Sequence, residues 1–299
     1  MSKNFKSGFI SVVGLPNVGK STLINAVVGQ KIAATSDKPQ TTRNRILGIH
    51  TTDDFQMIFT DTPGIHKPKN KLGEYMVNEA AGSIPDADII VFVTDASREM
   101  TNTEREIADK IKESGLPAVL VINKTDCVKK EALFEQIAEY NRLLDFEATV
   151  PLSAKNADGT DIFVEEILKI LPEGPMFYPA ETVTDAKERT VAAEIIREKM
   201  LVLLDKEVPH GVAVEITKYS EKEHLIKIDA NIYCEKESHK GIIIGKGGKM
   251  MKKIGEKARE DIEKMTEKKV FLQLWVKVKT DWRNSDYLMK SFGFKEERD

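Results

Sequence analysis

FISVVGLPNVGKST, residues 9–22, runs from a short apolar segment into the pattern Gly14-x-x-x-x-Gly19-Lys20-Ser21. A strand, a glycine loop and a helix start in that order make a complete P-loop. Successive backbone N–H groups, spanning Gly14, Asn17, Val18, Gly19 and Thr22, can wrap a β-phosphate, and the helix opening at Lys20 adds its dipole. Lys20 would reach the β- and γ-phosphates, and Ser21 would give its hydroxyl to Mg²⁺. Side chains at Gly14 or Gly19 would intrude on the phosphates or the turn. The flanking strand and helix separate this pattern from an incidental glycine turn.

Working outward, the 299 residues suggest two domains. A hydrophobic share of 41% with 31% charged residues is that of a globular protein with a sizeable core. The net charge of −3 gives no bulk argument for a nucleic-acid partner, so any such case must rest on local clustering. The first residues, MSKNFKSGFISVVG, contain no signal-peptide hydrophobic region, and no stretch approaches the roughly 20 apolar residues of a membrane span. Two cysteines far apart, Cys127 and Cys234, fit a reducing cytoplasm.

Between Phe9 and about Leu171 the runs FISVV, RILGIHT, FQMIFTD, ADIIVFVTD, PAVLVIN and ATVPLSA alternate with helical stretches. That pattern predicts an α/β fold with a doubly wound, mostly parallel sheet covered on both faces. RILGIHT and FQMIFTD are joined by TTDD, too short for a crossover helix, so they should form one antiparallel pair at the sheet edge. LPEGPMFYPAETVTD, with Pro172, Gly174, Pro175 and Pro179, breaks regular structure. The expected organisation is a domain over 1–174, a linker over 175–188 and a smaller α+β domain over 189–299 with the order αββααβ.

Three further motifs each follow a strand. Asp61-Thr62-Pro63-Gly64 ends FQMIFTD, so Asp61 reaches the carboxyl edge of the sheet, where it can bind the metal, and Gly64, without a side chain, can bring its N–H towards a γ-phosphate. Asn123-Lys124-Thr125-Asp126 ends PAVLVIN. The Asp126 carboxylate can accept from guanine N1–H and the N2 amine, donors that adenine lacks there, and unpaired polar groups would reject the wrong base by as much as about 10⁴-fold. Ser153-Ala154-Lys155 closes ATVPLSA, where a backbone N–H could reach guanine O6. Four motifs in this order point to a GTPase.

Residues 8 to about 170 resemble the translation-factor-related class of GTPases, with PQTTRNR as its threonine region. PQTTRNRILGIHTTDDFQMIFTDTPGIH resembles the Era family of ribosome-assembly GTPases. The resemblance implies that a switch I threonine completes the Mg²⁺ shell only with GTP bound. Position before the arginine favours Thr42, with Thr41 as the alternative. Lys20, Thr42 and Gly64 are then the catalytic candidates, and Ser21, Thr42 and Asp61 the metal ligands. After DTPG, where many GTPases place a glutamine, this chain has Ile65, whose side chain can neither donate nor accept a hydrogen bond. Slow intrinsic turnover is expected. In similar proteins the asparagine matching Asn17 helps to hold a K⁺ ion. HKPKNKLGEYMVNEAAGSIPDAD is the expected switch II region.

In the second domain, Gly245-Lys246-Gly247-Gly248 is a GxxG loop between an apolar run and a helix. In KH domains such a loop clamps about four nucleotides of single strand. Lys246, Lys249, Lys252 and Lys253 precede the first acid, Glu256, so the patch is basic despite the acidic total. The order αββααβ matches the type II KH topology. Trp275, on a β-rich run, is expected in the core, and Trp282, in a polar segment, is the candidate for stacking on a base.

The resemblance spans essentially the whole chain. It implies a GTP/GDP-controlled protein that uses Mg²⁺ and binds the 3′ end of 16S rRNA on the small (30S) ribosomal subunit. A peripheral role at the cytoplasmic membrane has been attributed to similar proteins, but no strongly basic amphipathic helix here demands one. A metabolic phosphotransferase is disfavoured by NKTD and GxxG together. An RNA-binding protein that holds nucleotide without turnover would be separated by phosphate release.

Overall fold

In the computed structural model, which describes residues 4–38, 40–65 and 67–294, the apolar runs become the strands of one sheet. Pro39 of PQTTRNR and His66 of the expected switch II region lie outside the described residues. The strands are β1 (Lys6–Val13), β2 (Ile46–Thr51), β3 (Phe55–Asp61), β4 (Ile89–Asp95), β5 (Ala118–Asn123) and β6 (Ala148–Pro151). Their order is β2-β3-β1-β4-β5-β6, and only the β2–β3 edge pair is antiparallel. β3 and β4 are buried at every position, as strands covered on both faces must be.

Helices α1 (Lys20–Val28), α2 (Lys71–Gly82), α3 (Asn102–Ser114), α4 (Lys130–Tyr140) and α5 (Thr160–Ile170) accompany the strands. Leu23 and Ile24 of α1 and Phe163 and Ile167 of α5 join Ile10, Val12 and Phe59 in one cluster. Ile107 and Ile111 of α3 and Tyr140 of α4 join Val13, Phe92 and Leu120 in another. The α3 start shows why this sequence makes a helix there. Thr101 Oγ1 accepts from the Glu104 N–H at 3.2 Å, and the Glu104 carboxylate accepts from the Thr101 N–H at 2.8 Å. α2 was not legible as a helix, since KLGEYMVNEAAG contains two glycines. Asn70 starts it by accepting the Gly73 N–H at 2.8 Å.

The proline-rich segment after α5 is irregular but tied down. Its Pro172 carbonyl accepts from the Ser7 N–H at 3.0 Å and its Val183 carbonyl from the Ile49 N–H at 2.9 Å. The buried Gln56 Oε1 accepts from the N–H groups of Phe177 and Tyr178 at 2.9 and 3.0 Å.

The chain forms two units that do not follow sequence blocks. The first draws on Met1–Ala33, Thr42–Lys67 and Met76–Asp185, the second on Ala34–Thr41, Pro68–Tyr75 and Ala186–Asp299. Two short segments of the amino-terminal half therefore belong to the carboxyl-terminal unit.

That second unit contains α6 (Glu188–Leu203), β7 (Ala213–Glu221), β8 (Leu225–Cys234), α7 (Glu237–Ile244), α8 (Lys249–Thr266), β9 (Lys269–Val278) and α9 (Asp286–Ser291). Its sheet runs β7-β8-β9, with β7–β8 antiparallel and β8–β9 parallel. Alternation along β8 turns Ile226, Ile228, Ala230 and Ile232 towards Ile195, Ile196, Ile254, Ala258 and Ile262 of the helices. Each wholly buried isoleucine is worth roughly 1.5–3 kcal/mol over an exposed one.

Trp275 departs from expectation, and Trp282 is not available as a stacking ring for a base. Trp282 is fully buried, donating from Nε1 to the Gly211 carbonyl at 2.9 Å and stacking on Phe294. Its polar neighbours had suggested an exposed ring. Trp275 is 43% exposed, because strict alternation in β9 sends Leu274 and Val276 inward and the residue between them out. Among the described residues no helix is long and apolar enough to cross a membrane.

Candidate nucleotide site and nucleic-acid interface

β1 ends one residue before Gly14, and in register with Val12 lies Asp61 at the end of the parallel strand β3. Strand ends thus bring the P-loop and DTPG to one sheet edge. Gly14 and Gly19 both have positive φ, 150° and 101°, and Asn17, between them, has φ 65°. Lys20 is buried and donates from Nζ to the carbonyls of Gly14 and Leu15 at 3.1 and 3.0 Å. Burial pushes its ammonium down to about 8, against the pull of the Asp61 charge. The close approach of DTPG to this loop requires a glycine: a Cβ on Gly64 would lie 2.5 Å from the Pro16 backbone. The next residue, Ile65, donates its N–H to the Gly14 carbonyl at 3.2 Å and rests its side chain against the apolar cluster around Phe92.

Three oxygen-bearing side chains converge beside Lys20. Ser21 Oγ donates to Asp61 Oδ2 at 2.7 Å and lies 2.8 Å from Thr42 Oγ1. Thr42 Oγ1 also donates to Asp61 Oδ2, at 3.2 Å. The Thr41 hydroxyl is spent elsewhere, on the Lys38 carbonyl at 2.6 Å. Of the two threonines, only Thr42 joins the cluster. Asp61 is wholly buried, which pushes its carboxyl up against the opposing hydrogen bonds of Ser21 and Thr42 and the charge of Lys20. Its Oδ1 is buried without a hydrogen-bond partner among the described residues. One orphaned carboxylate oxygen with two hydroxyls is a hard donor set that fits Mg²⁺, which takes one or two carboxylates and draws its other ligands from substrate and water. Accordingly, no group of three or more His, Cys, Asp or Glu side chains gathers for a metal among the described residues.

The third and fourth motifs sit at the ends of β5 and β6. Asn123 is buried and works as a lace: its Nδ2 donates to the Val18 carbonyl at 2.8 Å, and its Oδ1 accepts from the N–H groups of Lys124 and Ala154 at 2.8 and 2.9 Å. Lys124 has φ 66° and donates from Nζ to Asp95 at 2.7 Å. Asp126 is exposed, and Ser153 Oγ donates to its Oδ1 at 2.7 Å, the main force holding the carboxylate below its usual range. The Ser153 N–H goes to the Asp158 carbonyl and the Ala154 N–H to Asn123. Of the SAK amides, Lys155 alone is left without a protein acceptor among the described residues. An exposed carboxylate, whose Oδ1 accepts from Ser153 and whose Oδ2 accepts only a long 3.6 Å contact from Cys127 Sγ, and the Lys155 amide therefore flank the site, with Asn123 joining three loops behind them.

In the second unit, Gly245–Gly248 turns the chain from α7 into α8. Gly247 and Gly248 have φ of 60° and 76°, with no atom within 4 Å of where a Cβ would stand. Glycine is needed there for backbone conformation and leaves open space in front of the loop. Lys246, Lys249, Lys252 and Lys253 are all exposed around it, with Lys252 ion-paired to Glu256 at 3.8 Å. Ile243 and Ile254 are core, whereas Ile242 is 50% exposed.

Sequence reasoning missed Arg197 and Glu198 of α6. Arg197 is buried, donates to the carbonyls of Gln40 (3.3 Å) and Thr41, and is paired with Glu194. The Glu198 carboxylate accepts from the Thr35 N–H at 3.0 Å. The signal that could have found Arg197 was its charge beside Ile195, Ile196, Met200 and Leu201 on the buried side of α6.

Comparison with known proteins bears on both units. A model described as 50S ribosome-binding GTPase matches residues 9–124, and one described as KH domain matches residues 207–283. GTPase Era of Ruminiclostridium cellulolyticum is 53% identical over 293 residues, covering 98% of either chain. GTPase Era of Clostridium novyi is 50% identical, covering 98% of this chain and 100% of its own. Among solved structures, an Aquifex aeolicus Era variant bound to GDP·AlF₄⁻ matches with a TM-score of 0.93 at 38% identity, covering 98% of this chain and 100% of the other. Era in complex with MgGDPNP and nucleotides 1506–1542 of 16S ribosomal RNA matches at 0.92 and 39%, with the same coverage.

Proposed function

This chain belongs to the Era family of GTPases, and from that premise we propose that it is a GTP-hydrolysing switch that binds the 3′ end of 16S rRNA and assists assembly of the small ribosomal subunit. The relative solved with MgGDPNP and 16S rRNA supports this reading across both units. It weighs more than the 50S description of the broader model, which matches only residues 9–124. An rRNA partner implies a cytoplasmic site of action. We assign the GTPase function to residues 1–174, the connection to 175–188 and RNA binding to 189–299.

In this reading the amides of Gly14 to Thr22 hold the phosphates, with Lys20 Nζ moving from the Gly14 and Leu15 carbonyls to their oxygens. Ser21, Thr42 and Asp61 hold Mg²⁺. When bound, the metal would supply positive charge that offsets the charge developing in phosphoryl transfer. The Gly64 N–H faces the γ-phosphate. Asp126 accepts from guanine N1–H and N2, Lys155 N–H donates to O6, and Asn123 keeps the loops in register behind the base. Ile65 leaves the attacking water without a side-chain partner, so intrinsic turnover is slow and rests on the backbone, the metal and the RNA partner. Asn17 helps to hold a K⁺ ion; hydrolysis at equal rates in equimolar KCl and NaCl would remove that assignment. Lys246, Lys249, Lys252 and Lys253 engage RNA phosphates around the GxxG loop.

The observation that carries the switch is the loop 34–42. Its last residue stands in the metal cluster, and the residues before it are hydrogen-bonded to α6 of the RNA-binding unit. Whatever the γ-phosphate and metal do to Thr42 is passed along a few peptide bonds to those hydrogen bonds. By linkage, GTP must then change RNA affinity, and RNA must change GTP affinity by the same factor. Titrating 16S 3′-end RNA into protein loaded with a non-hydrolysable GTP analogue and with GDP tests this. Phosphate release with and without that RNA tests turnover. Equal RNA affinities in the two nucleotide states would refute the switch.

A further inference from the structure

β9 turns two aromatic rings to solvent that the roles above do not use: Phe271 is 51% and Trp275 43% exposed. The inward residues of this edge strand, Val270, Leu272, Leu274 and Val276, pack with the helix-side core. The face opposite the helices therefore carries Lys269, Phe271, Gln273, Trp275 and Lys277. The register pairs the exposed Lys227 of β8 with Phe271; Trp275 is paired with Asn231, which is buried next to Tyr233 where the Phe292 ring stacks on that face. Exposed Lys277 follows two residues on, on the same face. Of the acids here, Glu215 is occupied by the Tyr233 hydroxyl at 2.7 Å and Asn231 at 3.4 Å, which leaves Asp229.

Two exposed rings among lysines and amides suit one ligand class better than others. The centre of a protein-binding face is depleted in lysine, whereas here lysine flanks both rings. Pairing of two copies along the β9 edge is opposed by Lys269 and Lys277. Single-stranded RNA has both complements, since bases stack on aromatic side chains presented by a sheet and phosphates pair with the lysines between them.

We propose that the exposed β9 side of this sheet face is a second single-stranded RNA site, in which Phe271 and Trp275 stack bases and Lys227 and Lys277 meet phosphates. This rests on the RNA-binding reading above and lengthens the bound strand beyond the GxxG loop. The two rings are four residues apart, about 13 Å along the strand. They receive bases that are not stacked on each other, so the ligand is unpaired RNA.

The test uses the full chain, oligoribonucleotides of about four residues, which the GxxG clamp alone accommodates, and oligomers roughly three times longer. The chain has two tryptophans, so Trp282→Phe leaves Trp275 as the sole reporter. The long oligomer should quench its fluorescence and the short one should not. In the otherwise unaltered protein, Phe271→Ala and Trp275→Ala should each weaken the long oligomer by roughly tenfold and leave the short one unchanged. Both substitutions are at exposed positions, so they keep the test open should Trp282→Phe fold poorly. Intact affinity for the long oligomer in both alanine variants overturns the second site while leaving RNA binding standing. Failure of the parent protein to bind either oligomer overturns both. A dimer in sedimentation that disappears in the alanine variants would assign this face to a second copy instead.

Discussion

Replacing Arg197 with alanine should separate GTP from GDP. The side chain is 1% exposed and joins α6 to the Gln40 and Thr41 carbonyls, two residues and one residue before Thr42. A hydrogen bond from a charged donor is worth roughly 1.5–3 kcal/mol, and the freed loop can recover part of its loss by turning its carbonyls to water. Taking one such bond as the net cost, the ordered arrangement of residues 34–41 falls by up to about ten- to hundredfold relative to the open one. Affinity scales with the competent fraction. A ligand that needs Thr42 at the metal is therefore weakened by up to that factor, and one that does not is unaffected. Fluorescent GTP-analogue and GDP titrations in Mg²⁺ should show a weakened analogue and an unchanged diphosphate, with kcat reduced in parallel. Arg197→Lys, which keeps the charge without the planar fork, should recover only part of the loss. Thermal unfolding followed by circular dichroism checks that the second unit still folds once Glu194 is without its partner. Equal weakening of both nucleotides, or of neither in a folded variant, would refute the reasoning.

The remaining expectations concern single sites. Thr42→Ala should lower GTP hydrolysis by about tenfold or more with GDP affinity intact, whereas Thr41→Ala, which removes the bonds to the Lys38 and Ser36 carbonyls, should be milder; the reverse order would move the ligand to Thr41. Asp126→Asn should weaken GTP and improve xanthosine triphosphate, whose C2 carbonyl can accept from the new amide; competition binding that shows unchanged preference would undo the guanine assignment. Lys246→Glu with Lys249→Glu should weaken RNA binding and flatten its salt dependence by roughly 0.7 in log–log slope for each phosphate that is no longer neutralised. A parental slope would put the RNA elsewhere.

Most of the nucleotide site was legible because each motif sits at the end of a strand, and parallel strands carry their ends to a common edge. Four short motifs spread from Gly14 to Lys155 could thus be placed together from local pattern. The hairpin exception was equally local, since TTDD is too short for anything else. What periodicity could not supply was the use of each polar group. Asn123 reads from its motif only as a nucleotide-site residue, and the folded chain adds that its amide joins the Val18, Lys124 and Ala154 backbones. SAK reads as offering some backbone N–H to the base, and the fold shows that the Ala154 N–H is held by Asn123. Such bonds depend on which loops meet.

By itself, then, the chain order of residues determined the strand–loop–helix units, their parallel assembly, the GxxG turn and the basic patch around it, because all of these follow from neighbours a few positions apart. Only the folded molecule decided which threonine joins Asp61, which tryptophan is buried, and that residues 34–41 and 68–75 pack with the carboxyl-terminal unit. The physical reason is common to the three. Thr41 and Thr42 have the same side chain, and Arg197 meets its carbonyls 156 and 157 positions away. Trp282 finds its acceptor 71 positions back. Loops have no period to announce their partners, so those choices rest on close packing that exists only once distant segments have met.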